Sequence, residues 1–120
     1  MAADSIRSLQ DYLQQFADER DWGQFHNPKN LIMALVGEVG ELAEIFQWLT
    51  TEQSAGVMRD GVAAVRVSQE LADVFGYVLR LADVLDIDLE AALRGKIASN
   101  GAKYPVEKAY GNAKKYTELH

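Results

Sequence analysis

Five acidic side chains in this sequence stand at spacings that chemistry can use. The segment GEVGELAEIFQW, residues 37 to 48, carries Glu38, Glu41 and Glu44 at intervals of three, and QELADVFGYVL, residues 69 to 79, carries Glu70 and Asp73 at the same interval. On a helix advancing about 100° per residue, Glu38 falls between Leu31 and Ile45 on the apolar face. Glu41 lies about a sixth of a turn further round, in line with Trp48, and Glu44 is further out again. In the second segment Glu70 falls among Val67, Val74, Tyr77 and Leu81, with Asp73 at the margin beside Tyr77. An ionised carboxylate does not persist unpaired in apolar surroundings, so these four inward acids require partners. The basic residues on the two segments, Lys29, Arg66 and Arg80, are too few and lie too far round the wheels to neutralise them. A hard divalent cation that prefers oxygen ligands meets the need. Magnesium is the expected ion, because it is held by a few carboxylates and keeps waters for a substrate's phosphates.

A single glutamate at a bundle edge reaches water along its own stem, whereas two i,i+3 acid pairs on two helices, both aimed inward, mark a shared site. Gly37, Gly40 and Gly76 lie in the same segments. Glycine in a helix costs roughly 1 kcal/mol relative to alanine, so close helix approach or room for a ligand is expected there. Trp48 stands one turn from Glu44 and Tyr77 one turn past Asp73, so each acid pair has a flat ring at its flank that can stack on a base. His26, just before a helix start, reads as a hydrogen-bonding anchor of its loop rather than a metal ligand. Di-iron bundles use Glu-x-x-His pairs, and no such pair occurs among two histidines.

Long helices must position these groups. Ile6, Leu9, Leu13 and Phe16 share one face and predict a first helix from Asp4 or Ser5 to about Arg20. The loop DWGQFHNP follows. Asn27 is the predicted cap of a second helix that holds Pro28 in its first turn and runs from Lys29 to about Leu49. TTEQSAGVMRDG reads as a connection with a helical turn. A third helix is predicted over Val62 to Leu85, and Asp88 caps a fourth that Pro105 stops. No strand alternation and no internal repeat of solenoid length is present. The expected fold is all-α, a four-helix bundle in a single domain over residues 1–120, with 105–120 as a flexible tail. Long helices on a chain of 120 residues expose apolar flank, so association into a homodimer or homotetramer is expected.

The chain contains no cysteine, which excludes disulfides and thiolate zinc sites and makes the reducing cytoplasm the expected location. The N-terminal residues lack the basic start and apolar block of a secretory signal, and no run approaches the ~20 apolar residues of a membrane span. A formal net charge of −6 argues against binding a nucleic-acid polymer through its phosphates. The charge is uneven: residues 94–120 hold six basic residues against two acids, and the remainder six against sixteen. An acidic part suited to a cation is thus followed by a basic part suited to an anion.

The segments ERDWGQFHNPKNLIMALVGEVGELAEIFQW, QELADVFGYVL, KIASNGAKYP and KKYTEL together resemble the MazG-like all-α nucleoside triphosphate pyrophosphatases, in particular their dCTP pyrophosphatase branch. The resemblance runs in order over residues 16 to 119 and joins the acid pairs to a W-x-x-F-H-x-P entry and a K-x-x-x-N-x-x-K-Y-P exit. It implies a helical bundle, assembled as dimers or tetramers, that hydrolyses (deoxy)nucleoside triphosphates to monophosphate and pyrophosphate with Mg²⁺. It makes Glu38, Glu41, Glu70 and Asp73 the metal ligands and Glu44 an outer acid or a ligand of a second ion. Lys96, Asn100, Lys103 and Tyr104 match the segment that meets the triphosphate, and Lys115 and Tyr116 a tail that folds over it. Trp22, Trp48 and Tyr77 match aromatics around the base. Glu41 or Glu44 takes the proton of the attacking water; the residues themselves do not choose between them. Three departures stand out. Gln69 replaces an acid before the second pair, Leu13 stands where the dCTP branch tends to carry a histidine near the base, and Lys103 stands for an arginine and so lacks the planar fork. The alternative is a non-catalytic helical interaction module whose acids hold a structural cation, and it predicts no turnover.

Overall fold

The computed structural model describes residues 2–120, with side chains from residue 5 onward, and every regular element among them is helical. Helix α1 spans Ala2–Glu19, α2 Pro28–Phe46, α3 Thr51–Ala55, α4 Gly61–Val84, α5 Leu89–Lys103 and α6 Val106–Ala109. Short 3₁₀ turns cover Gly23–Phe25, Val57–Arg59 and Tyr116–Glu118. The chain forms two compact units, one up to Ile87 and one from Asp88 onward.

The starts of the helices follow their caps. Asn27 accepts from the backbone N–H of Asn30 ahead of Pro28 at the first turn, and Asp88 accepts from Ala91 N–H. Asp60 does the same for Val62 and Ala63 at the head of α4. The connection after α2 is firmer than a simple loop, because Thr50 and Gln53 form a reciprocal capping box that starts α3. Helix α2 ends at Phe46, before the predicted Leu49, since that box claims the residues that follow.

In the first unit α4 packs along α2 and against α1. Helices α1 and α4 run antiparallel: Arg7 pairs with Asp83 through two hydrogen bonds of 3.0 Å, and Gln10, buried, donates to Leu79 O at 3.0 Å. Among the described residues, Leu31 of α2, Leu79 and Ala82 of α4 and Ala17 of α1 are the buried apolar side chains. A second apolar stripe faces outward. Met33 is 58% and Val36 61% exposed on α2, and Val62 76% and Val65 56% on α4. In the second unit α5 is capped at its C-terminus by Tyr104 ahead of Pro105, and the tail, expected to be loose, contains α6 and the Tyr116–Glu118 turn. No described helix is long and apolar enough to cross a membrane.

Candidate active site

The pairing of α2 with α4 brings together acids 32 residues apart in sequence. One carboxylate oxygen from each of Glu38, Glu41 and Glu70 lies within 4.8 Å of the others. Glu38 and Glu70 are half-buried while Glu41 is exposed, so the group sits at the edge of the apolar seam and opens outward. Oε2 of Glu38 and Oε2 of Glu70 are buried with no hydrogen-bond partner. Burial first, and then the neighbouring carboxyl groups of Glu41, Glu70 and Asp73, push the Glu38 carboxyl up to about 7. Burial, followed by Glu41 and Asp73, raises Glu70 above the ordinary carboxylate range as well. No described ion pair gives any of these acids a cationic partner. Convergent oxygen donors, two of them orphaned and none neutralised, are the donor set of a hard divalent cation. The residues therefore fit such a cation, of which magnesium is one.

Asp73 is exposed and lies one turn beyond Glu70, outside the trio but near enough for its charge to raise both Glu38 and Glu70. Glu44 is exposed and is not drawn into the group. Of the base-side aromatics, Trp22 and Tyr77 line a common cavity of about 260 Å³, together with Leu13, Phe16, His26, Ala72, Asp73, Gly76 and Arg80. Asp73 thus acts on the carboxylate group through its charge and also lines the cavity. Trp48 does not line it and is 86% exposed. Local backbone geometry explains how Trp22 arrives: Asp21 takes a left-handed conformation (φ 54°), and Trp22 N–H folds back to Ala17 O at 2.9 Å. The indole then meets Phe16 edge-on with ring centroids 5.6 Å apart.

In the second unit Lys96, Asn100 and Lys103 recur at helical spacing along α5 and are exposed. Tyr104 meets Tyr116 edge-on at 6.1 Å, and the Lys103 ammonium lies 5.0 Å from the Tyr116 ring centroid, beside exposed Lys115.

Two readings change. Arg80, expected on the outer side of its helix, is buried and 6% exposed, because α1 covers that face. Asp73, Tyr77 and Arg80 recur at intervals of four and three and line the same cavity, but the spacing alone does not say that a neighbour covers that face. Second, of the two expectations for the glycines of α2, close approach is not met among the described residues and open space is, since a Cβ at Gly37 or Gly40 meets nothing within 4 Å. Gly76 also has that open space, and it lines the cavity, which agrees with room for a ligand.

The MazG-like family model matches residues 34–119. This chain belongs to the MazG-like family. It is 45% identical to dCTP pyrophosphatase 1 of Homo sapiens and of Rattus norvegicus over 105 residues, which is 88% of this chain and 62% of theirs. The chain therefore spans less than two thirds of the length of those relatives. A crystal structure of a pyrophosphatase from Archaeoglobus fulgidus superposes with a TM-score of 0.78 at 38% identity, covering 84% of this chain and 93% of that one.

Proposed function

We propose that this MazG-like chain is a Mg²⁺-dependent nucleoside triphosphate pyrophosphohydrolase. It converts a (deoxy)nucleoside triphosphate, dCTP or a modified dCTP, to the monophosphate and pyrophosphate in nucleotide-pool sanitation. The observation that carries this reading is the convergence of Glu38, Glu41 and Glu70 within 4.8 Å with two buried oxygens unpartnered. The names of the relatives support the substrate class.

Glu38, Glu41, Glu70 and Asp73 hold the ion, which when bound supplies charge neutralisation for the phosphate oxygens. Glu44 lies outside the trio, so its carboxylate remains available to take a proton from water, and Glu41 is the other candidate for that role. Trp22 and Tyr77 flank the base in the 260 Å³ cavity, where Gly76 leaves space. Trp48 is assigned to the base as well, and with 86% of its surface exposed it needs a covering partner to serve there. Lys96, Asn100, Lys103, Tyr104, Lys115 and Tyr116 meet the triphosphate, with lysine point charges in place of a bidentate fork.

The outward apolar stripes on α2 and α4 support a homodimer or homotetramer. The lack of cysteine suits a reducing cytoplasm, and the acidic balance gives no footing for a nucleic-acid polymer. No membrane role is assigned.

The test incubates purified protein with a panel of nucleoside triphosphates, including modified deoxycytidine triphosphates, with Mg²⁺ and separates pyrophosphate from orthophosphate. Pyrophosphate with monophosphate is expected. Orthophosphate alone contradicts attack at the α-phosphorus, and no release from any nucleotide favours the non-catalytic module.

A further inference from the structure

Arg80 is enclosed by α1, but its hydrogen-bond partners there are not those of an ordinary buried ion pair. Its guanidinium is buried, yet its nearest carboxylate, Asp83, lies 4.0 Å away and is already engaged by Arg7 through both oxygens. The close partners of Arg80 are neutral. Its Nε donates to His26 Nδ1 at 3.0 Å, and Nη1 donates to Gln14 Oε1 on α1. Burying a guanidinium against neutral acceptors is costly, so the arrangement needs a purpose.

Arginine has donors and no acceptor, so Nδ1 of His26 must carry the lone pair and the ring proton sits on Nε2. Burial, and then the adjacent Arg80 charge, push the His26 imidazole below its usual value and keep the ring neutral. The ring is braced edge-on by Trp22, with centroids 6.2 Å apart, and His26 lines the same cavity as Trp22 and Tyr77. Among the described residues nothing pairs with Nε2.

We propose that Arg80 is a positioning residue that locks His26 in the Nε2–H tautomer, and that this N–H is the cavity's base-selecting donor, engaging a ring-nitrogen or carbonyl acceptor of the nucleobase. The inference rests on the nucleotide-hydrolase reading above. An unconstrained histidine presents either a donor or an acceptor at Nε2, whereas the locked ring presents a donor only. A base that turns an N–H toward it leaves two donors opposed in a half-buried site, which is how a hydrogen-bonding pocket rejects a near-isostere.

The test has two arms. In ¹⁵N-labelled protein, long-range ¹⁵N–¹H correlation reads the tautomer directly, with the second histidine removed as His120→Ala. At pH 7 His26 should show an unprotonated Nδ1 and a protonated Nε2, and Arg80→Leu should give a mixture of tautomers. In kinetics with the preferred nucleotide, Arg80→Leu and His26→Phe should raise KM roughly tenfold more than they lower kcat. His26→Gln, whose side-chain amide offers N–H near the old Nε2, should recover most of that loss. The His26 pair keeps the test open if Arg80→Leu fails to fold. A wild-type His26 that is protonated, or protonated at Nδ1, overturns the inference. So does an unchanged KM in His26→Phe while the wild type turns over, and in that case the hydrolase reading survives. Absence of turnover by the wild type removes both the hydrolase reading and the base-selecting role.

Discussion

Replacing Glu38 by Gln should move stability and activity in opposite directions, and metal should reverse the order of stability. Glu38 Oε2 is buried without a partner, and its carboxyl is pushed up to about 7 by burial and by Glu41, Glu70 and Asp73. Above that pH the metal-free protein holds converging negative charges. The amide has nearly the same shape, removes one charge and offers N–H groups to the neighbouring carboxylates. An unpaired buried polar group costs about 1–3 kcal/mol, and because Glu38 is only half-buried the lower end applies, about 1 kcal/mol gained in Glu38→Gln. For a chain of this size that raises Tm by roughly 4 °C. Wild type in Mg²⁺ at a hundred times its Kd should gain about 2.7 kcal/mol, whereas the variant should gain close to none. Scanning calorimetry in EDTA and in Mg²⁺ at pH 8 measures both. Variant above wild type without metal and below it with metal is the expected crossing, with turnover reduced by about a hundredfold or more. An equal Mg²⁺ increment in the two proteins, or a variant less stable in EDTA, would refute the reasoning.

Metal affinity should depend on pH through the same group: a ligand must lose its proton to bind, so the apparent Mg²⁺ association constant should rise about tenfold per unit below pH 7 and level off above it, as titration calorimetry would read. Metal-free stability should run the other way. The folded state holds the Glu38 proton more tightly than the unfolded state does, so stability is highest below the ordinary 4.5 and falls as pH rises through about 7, as Tm in EDTA would follow. Gly76→Ala should add up to about 1 kcal/mol of helix stability while narrowing the cavity, so KM for the nucleotide should rise as Tm rises. Asp86, in a left-handed conformation (φ 56°) where Ile87 N–H folds back to Ala82 O at 2.8 Å, should tolerate Gly with a gain of about 1 kcal/mol, read as the urea midpoint.

Much of this arrangement could be read in the sequence because its causes are local. Asn27 before Pro28 and Asp88 before Leu89 announce helix starts through side-chain caps, and both accept the backbone bonds expected of them. The acid pairs were legible because a helical wheel needs only the spacing along one helix, and Glu38, Glu41 and Glu70 do converge. What a wheel cannot report is which neighbour covers each face. That is why Arg80 was expected outside, although α1 encloses it through Gln14 and the loop histidine His26. Asp73 was expected with the other three carboxylates and stands at their margin, between them and the aromatic cavity. Trp48 falls past the end of α2, because the capping box at Thr50 ends that helix early. The left-handed turns at Asp21 and Asp86 left no signal either, since aspartate at such a position is one of several residues that tolerate it.

If Glu38, Glu41 and Glu70 share one divalent cation, the ion must lie within reach of all three carboxylates. A crystal of the protein grown with Mn²⁺ in place of Mg²⁺, measured near the manganese absorption edge, tests it directly. An anomalous peak within coordination distance of oxygens from all three glutamates is the expected result. A map with no peak there, and the three carboxylates turned apart toward solvent, would contradict it.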